Sequence, residues 1–220
     1  MVEVNSLVRD IENKDLVLPE FQRNYVWSKE DVKLFFQSLY KNYPTGSLLI
    51  WKTLNPPKIR GDNEQKEQGY TRVLLDGQQR LTTLYFMLKS KAPPYYEHEE
   101  FDFNLYFNVE KEEFRYYQKT IMEGKNEWIS VKVFYKFNEV ADFIQSFPTD
   151  DLQSYYFKWM KHLSRLSQIR TYDYFVDEEK LNKISDLNQV VKIFNLVNKQ
   201  GRRLVEEDLA LAYICVYWPE

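Results

Sequence analysis

Cysteine is nearly missing: Cys215 stands alone among 220 residues. A lone thiol excludes an intrachain disulfide framework and a cysteine zinc site, and it fits a reducing compartment. Histidine is almost as scarce, and neither His98 nor His162 sits in a motif that a histidine–metal nuclease would use. No apolar run approaches the roughly 20 residues of a membrane-spanning helix. The N-terminal MVEVNSLVRDIENKD lacks the apolar block of a signal peptide. A soluble, cytoplasmic chain with no membrane partner is expected. With only 6 glycines there is no G-x-x-x-x-G-K-[ST], so a P-loop is excluded. A positive excess is missing too. The net charge of -3 argues against coating DNA through an overall field, though not against a local basic site.

What the chain does hold is apolar and aromatic. Hydrophobic residues make up 44%, which excludes a disordered chain. At this length roughly 70% of the unfolded surface can be buried in a core. The 17 tyrosines and 15 phenylalanines supply packing, and also surfaces on which bases could stack.

Apolar spacing then places the elements. Residues 28–42 read as a helix: Ser28 caps it with Asp31 three residues on, and Val32, Phe35, Phe36, Leu39 and Tyr40 share one face. Residues 47–51 and 72–75 read as buried strands, separated by a polar loop over 55–69. A second helix follows DGQQR, with Leu81, Leu84, Tyr85 and Leu88 as its stripe. Residues 101–109 alternate, setting Phe101 to Val109 against an outward face of Asp102, Asn104, Tyr106 and Asn108. From about Asn138 the pattern turns mostly helical. It includes a helix capped by Asp186 and stopped by Gly201, and a last one through Leu209, Ala212, Tyr213 and Val216. The change in character sets a boundary near residue 115.

Residues 76–80, DGQQR, carry the most chemistry. A helix start exposes unpaired N–H groups and about half a positive charge, and glycine lets an anion approach them. Arg80 in the first turn opposes that dipole, which is easier to explain if it faces a bound anion. The plain alternative is a capping box between Asp76 and Gln79, with no ligand at all. Upstream, LPEFQRNYVWS offers Gln22, Arg23, Tyr25 and Trp27. Arg23 could hold a phosphate and an aromatic could stack on a base; otherwise the aromatics pack in the core and Arg23 is solvated. Asn195, Asn198 and Arg202 form a polar stripe that reads either as a further site or as a solvated face. Asp173, Glu178 and Lys180 have the loose look of a metal-nuclease trio, common by chance where 29% of residues are charged.

In order, LPEFQRNYVW, YPTGSLLIW, LLDGQQRLTTL and IFNLVNKQGRRLVEEDL resemble the motifs of GmrSD-type restriction protein N-terminal domains, over about residues 18–214. That resemblance implies an α+β fold, with a ParB/sulfiredoxin-like small mixed sheet and helices over 1–115. A mostly helical part, 116–220, would pack on it. It implies a nucleotide-binding or NTP-hydrolysing regulatory domain of a modification-dependent (Type IV) restriction or phage-defence protein. DGQQR would stand where related folds carry a Gly-x-x-Arg phosphate loop. Asp76, Gln79 and Arg80 would then be catalytic. Gln22, Arg23, Gly77, Gln78, Thr82 and Thr83 would bind a nucleoside triphosphate with Mg²⁺, and Asp76 would hold either the metal's water or the turn. The family's histidine-containing nuclease domain has no counterpart in these residues, so cleavage is expected from a separate domain or subunit. The alternative is a modified-DNA-binding module without hydrolysis.

Overall fold

The computed structural model describes residues 1–61, 69–96, 101–147 and 152–177. The helices expected beyond Asp186, the stripe of Asn195, Asn198 and Arg202, and also His98, Glu178, Lys180 and Cys215 lie outside the described residues.

The fold is α+β. Strand β1 (Val2–Glu3) leads into helix α1 (Val4–Glu12), which buries Val4, Leu7, Val8 and Ile11 on one face. That spacing is the 3.6-residue period of a half-buried helix. Strand β2 (Leu16–Val17) follows, then an irregular stretch, then helix α2 (Lys29–Tyr40). The expected capping box forms: the Asp31 amide donates to the Ser28 hydroxyl, and the Asp31 carboxylate accepts from the Ser28 amide at 2.9 Å. The expected stripe of Val32, Phe35, Phe36, Leu39 and Tyr40 is buried.

Strands β3 (Leu48–Thr53) and β4 (Thr71–Asp76) pair antiparallel, with a register shift at Leu49/Ile50. β2 lies parallel to the other edge of β4. Helix α3 (Gln78–Lys89) leaves β4 through Gly77. Strands β5 (Leu105–Asn108) and β6 (Glu113–Tyr116) then form a hairpin. After the short helix α4 (Lys119–Met122), β7 (Trp128–Ser130) pairs with the free edge of β5. Asn108 does not face outward as the alternation suggests. It is buried, and its side-chain oxygen accepts the Glu110 and Lys111 amides at 3.0 and 2.8 Å, closing the hairpin turn.

The chain then runs through α5 (Val131–Phe134), α6 (Val140–Gln145) and α7 (Leu152–Ser167). Past a single 3₁₀ turn it comes back to its own beginning. Strand β8 (Asp173–Tyr174) pairs with β1, and β9 (Val176–Asp177) lies parallel to β3. The part read as mostly helical therefore supplies strands to the N-terminal half. Residue 115 falls inside β6, and one apolar core runs from Val4 to Tyr174, with Phe107, Phe134, Trp159 and Leu163 among its members. Among the described residues, no helix is long and apolar enough to cross a membrane.

Candidate functional site

The site forms where β4 becomes α3. Gly77 takes φ 98°, a left-handed conformation open to glycine at little cost. A Cβ there would also lie 2.2 Å from Leu48 Cδ2. With glycine at the N-cap, no side chain caps the helix. The capping box expected between Asp76 and Gln79 is not made: Asp76 is the last residue of the strand and Gln79 is the second of the helix. The first amides of α3 thus keep their partial positive charge for whatever occupies the space in front of them.

Three glutamines fix what stands in that space. Gln22 donates to the Leu74 and Leu75 carbonyls at 3.2 and 2.8 Å, 52 and 53 residues away. Gln78 donates to the Arg23 carbonyl at 2.8 Å. Gln79 accepts from the Val26 amide at 2.8 Å and donates to the Asn24 carbonyl at 3.1 Å. All three are buried. Arg60 adds bonds to the Asn24 side chain and the Gln22 carbonyl. The irregular segment 22–26 is thereby laid against the start of α3. Gln79 has both ends of its amide engaged by backbone, so its side chain ties the segment to the helix.

That stitching presents Arg23. Its side chain is partly exposed and borders a cleft of about 640 Å³, and among the described residues nothing pairs with its guanidinium. Arg80 borders the same cleft but is occupied. It donates to the Thr45 carbonyl at 2.6 Å, the Ser47 carbonyl at 2.8 Å and the Asp76 carboxylate at 3.0 Å. An arginine in the first turn thus finds its own carboxylate and two carbonyls as partners.

Thr82 and Thr83 do not reach the cleft. Both are fully buried; the Thr82 hydroxyl lies 3.0 Å from that of Tyr95, and Thr83 donates to the Gln79 carbonyl at 2.7 Å. A helix that turns Gly77–Arg80 to the cleft turns the next two side chains inward. Tyr25 goes with them, 2.7 Å from the Thr83 hydroxyl and edge-on to Phe86 and Phe101. Trp27 instead borders the cleft, edge-on to Phe35 at 5.0 Å.

The opposite wall escaped sequence reasoning. It is a second face of α2, formed by Asp31, Leu34, Phe35 and Ser38 at i, i+3, i+4 and i+7. The available signal was Leu34, an apolar residue off the buried stripe, which is 55% exposed. Two arginines and two aspartates border the cleft, so its formal charge is balanced. Among the described residues no group of three metal-ligating side chains forms. The carboxylates that border the cleft are Asp31, bonded to Ser28, and Asp76, bonded to Arg80; magnesium bound with phosphates needs only one or two carboxylates. His162 lies elsewhere, 2.6 Å from the Val109 carbonyl and 3.5 Å from Glu112, tying α7 to the hairpin.

Residues 4–215 match the N-terminal domain of the GmrSD restriction endonuclease family. An uncharacterized protein of Methanocaldococcus jannaschii is 29% identical across 94% of this chain, which spans 40% of that relative's length.

Proposed function

The chain belongs to the family of GmrSD restriction endonuclease N-terminal domains, and from that membership we propose that its cleft binds a nucleoside triphosphate with magnesium. In this reading the domain is the nucleotide-responsive, regulatory part of a modification-dependent restriction or phage-defence protein. Cleavage of modified DNA falls to another domain or subunit. The observation that carries the reading is the Arg23 guanidinium, without a partner among the described residues, beside the uncapped start of α3.

The phosphates would lie at Arg23 and the α3 amides, as anions do at helix N-termini. The base would lie toward Trp27 and Leu34. A volume of about 640 Å³ falls within the usual range for small-molecule sites. Arg23 contributes about 1.5–3 kcal/mol through charged hydrogen bonds, and the helix end about 0.3–1 kcal/mol. Micromolar affinity requires about 8 kcal/mol, so phosphate contacts alone do not suffice. Stacking on Trp27 and neutralisation of phosphate charge by magnesium supply the remainder. Asp31 and Asp76 would hold that ion, and the same carboxylates are the candidates to orient a water for hydrolysis.

Calorimetric titration with triphosphate and Mg²⁺ tests this. Arg23→Ala is expected to bind about 10–100-fold more weakly than the parent. Equal affinities, or parent binding displaced by modified DNA and not by other nucleotides, would overturn it. Phosphate release in the same samples reports whether binding leads to hydrolysis.

A further inference from the structure

We infer that Arg80 and Asp76 form a positioning pair that pins the wall segment 43–47 over the start of α3, while the contact to ligand charge falls to Arg23. The inference rests on the nucleotide reading of the cleft and assigns roles within it.

The hydrogen bonds of Arg80 point to this role. Its two terminal nitrogens reach the carbonyls of Thr45 and Ser47, on either side of Gly46, and one of them also reaches Asp76. Carbonyl oxygens at such distances hold the planar guanidinium in one orientation. Gly46 completes the fit: it has φ 86°, and a Cβ there would lie 2.7 Å from Arg80 Nη1. The backbone comes close to the guanidinium because no side chain intervenes.

The same segment is gripped from its other side by tyrosines of the returning chain. Thr45 donates to the Tyr174 hydroxyl at 3.1 Å, and the Tyr172 hydroxyl donates to the Tyr43 carbonyl at 3.2 Å. The Tyr174 ring lies 5.9 Å from the Arg80 guanidinium carbon. Pro44 and Thr45, held between these grips, border the cleft. Arg80 therefore shapes the space that a ligand enters. The Arg80 guanidinium is paired with Asp76, whereas that of Arg23 has no partner among the described residues.

The two roles separate in a series of nucleoside mono-, di- and triphosphates. A residue that touches phosphate loses more affinity, on truncation, as phosphates are added. A positioning residue loses the same factor for each. For Arg80→Ala we expect a severalfold loss that is constant within about twofold across the series. For Arg23→Ala we expect a loss that grows with phosphate number. Tyr174→Phe, which leaves every charge in place, should follow the Arg80 pattern and serves if Arg80→Ala fails to fold.

Hydrogen exchange without nucleotide gives an independent reading. The amides of Tyr43 and Leu48, bonded to the Ser38 and Phe175 carbonyls at 2.8 and 2.9 Å, flank the pinned segment. In Arg80→Ala both should exchange about tenfold faster. An Arg80→Ala loss that rises with phosphate number would overturn the assignment, as would unchanged exchange. If the parent binds no nucleotide, the functional reading fails by itself, and accelerated exchange still supports the pinning role.

Discussion

Gly77 carries the greatest conformational demand at the site. Alanine there meets both a left-handed φ of 98° and a contact 2.2 Å from Leu48 Cδ2. Strain of this kind costs about 1–3 kcal/mol before the contact is counted. Gly77→Ala should lower the unfolding free energy by at least that much, seen as a lower urea midpoint with an unchanged denaturant slope; an unshifted midpoint would contradict the turn geometry. This residue was legible in the sequence, because a glycine between a β-rich run and a helical stripe has few other meanings. Arg23 was legible as a candidate, but the difference in hydrogen bonding between it and Arg80 was not. That difference depends on which guanidinium finds carbonyls and a carboxylate, and the Thr45 and Ser47 partners of Arg80 lie 35 and 33 residues away. The places of the Gln78 and Gln79 side chains were illegible for the same reason. Their backbone partners, 55 residues distant, cannot be read from local pattern.

Among elements, α2 is the one whose start, stop and buried face follow from spacing alone, since its capping box and stripe are local features. Removing the cap with Ser28→Ala should cost about 1 kcal/mol in thermal or denaturant unfolding. The strands β8 and β9 were illegible: 2 residues each leave no alternation to detect, and their partners stand at the far end of the chain. Helices α1 and α3 are joined at the surface by Glu12, 2.6 Å from Lys89 and 2.9 Å from Lys91. Those hydrogen bonds lower the Glu12 pKa from 4.5 to about 2. A carboxylate depressed in the folded state contributes stability above its unfolded pKa and loses it as pH falls through the folded one. Between about pH 5 and pH 2, Glu12→Gln should therefore lose stability less steeply than the parent. The difference should stay within about 1 kcal/mol and shrink with added salt, because the pair is solvated. Parallel pH–stability curves would show that the contact contributes nothing.

At the scale of the whole molecule, composition indicated a packed chain and the family resemblance implied α+β, but neither showed that β1 and β3 are completed by strands from beyond residue 170. The shared core, and the pairing of β8 and β9 with β1 and β3, make the N-terminal half dependent on the later residues. A chain ending at residue 115 would cut β6 and lose Phe134, Trp159 and Leu163 from the core. It should show no cooperative unfolding transition, whereas a sharp one would establish an independent unit. The cleft depends on the same closure, since Tyr174 of the returning strand grips the loop that borders it. The most direct test of the central claim is a crystal structure of the protein with Mg²⁺ and a non-hydrolysable nucleoside triphosphate. The account predicts phosphate oxygens within hydrogen-bonding distance of Arg23 and the first α3 amides, the base toward Trp27, and Arg80 still on its carbonyls. Phosphates held at another face of the molecule, with Arg23 left in solvent, would contradict it.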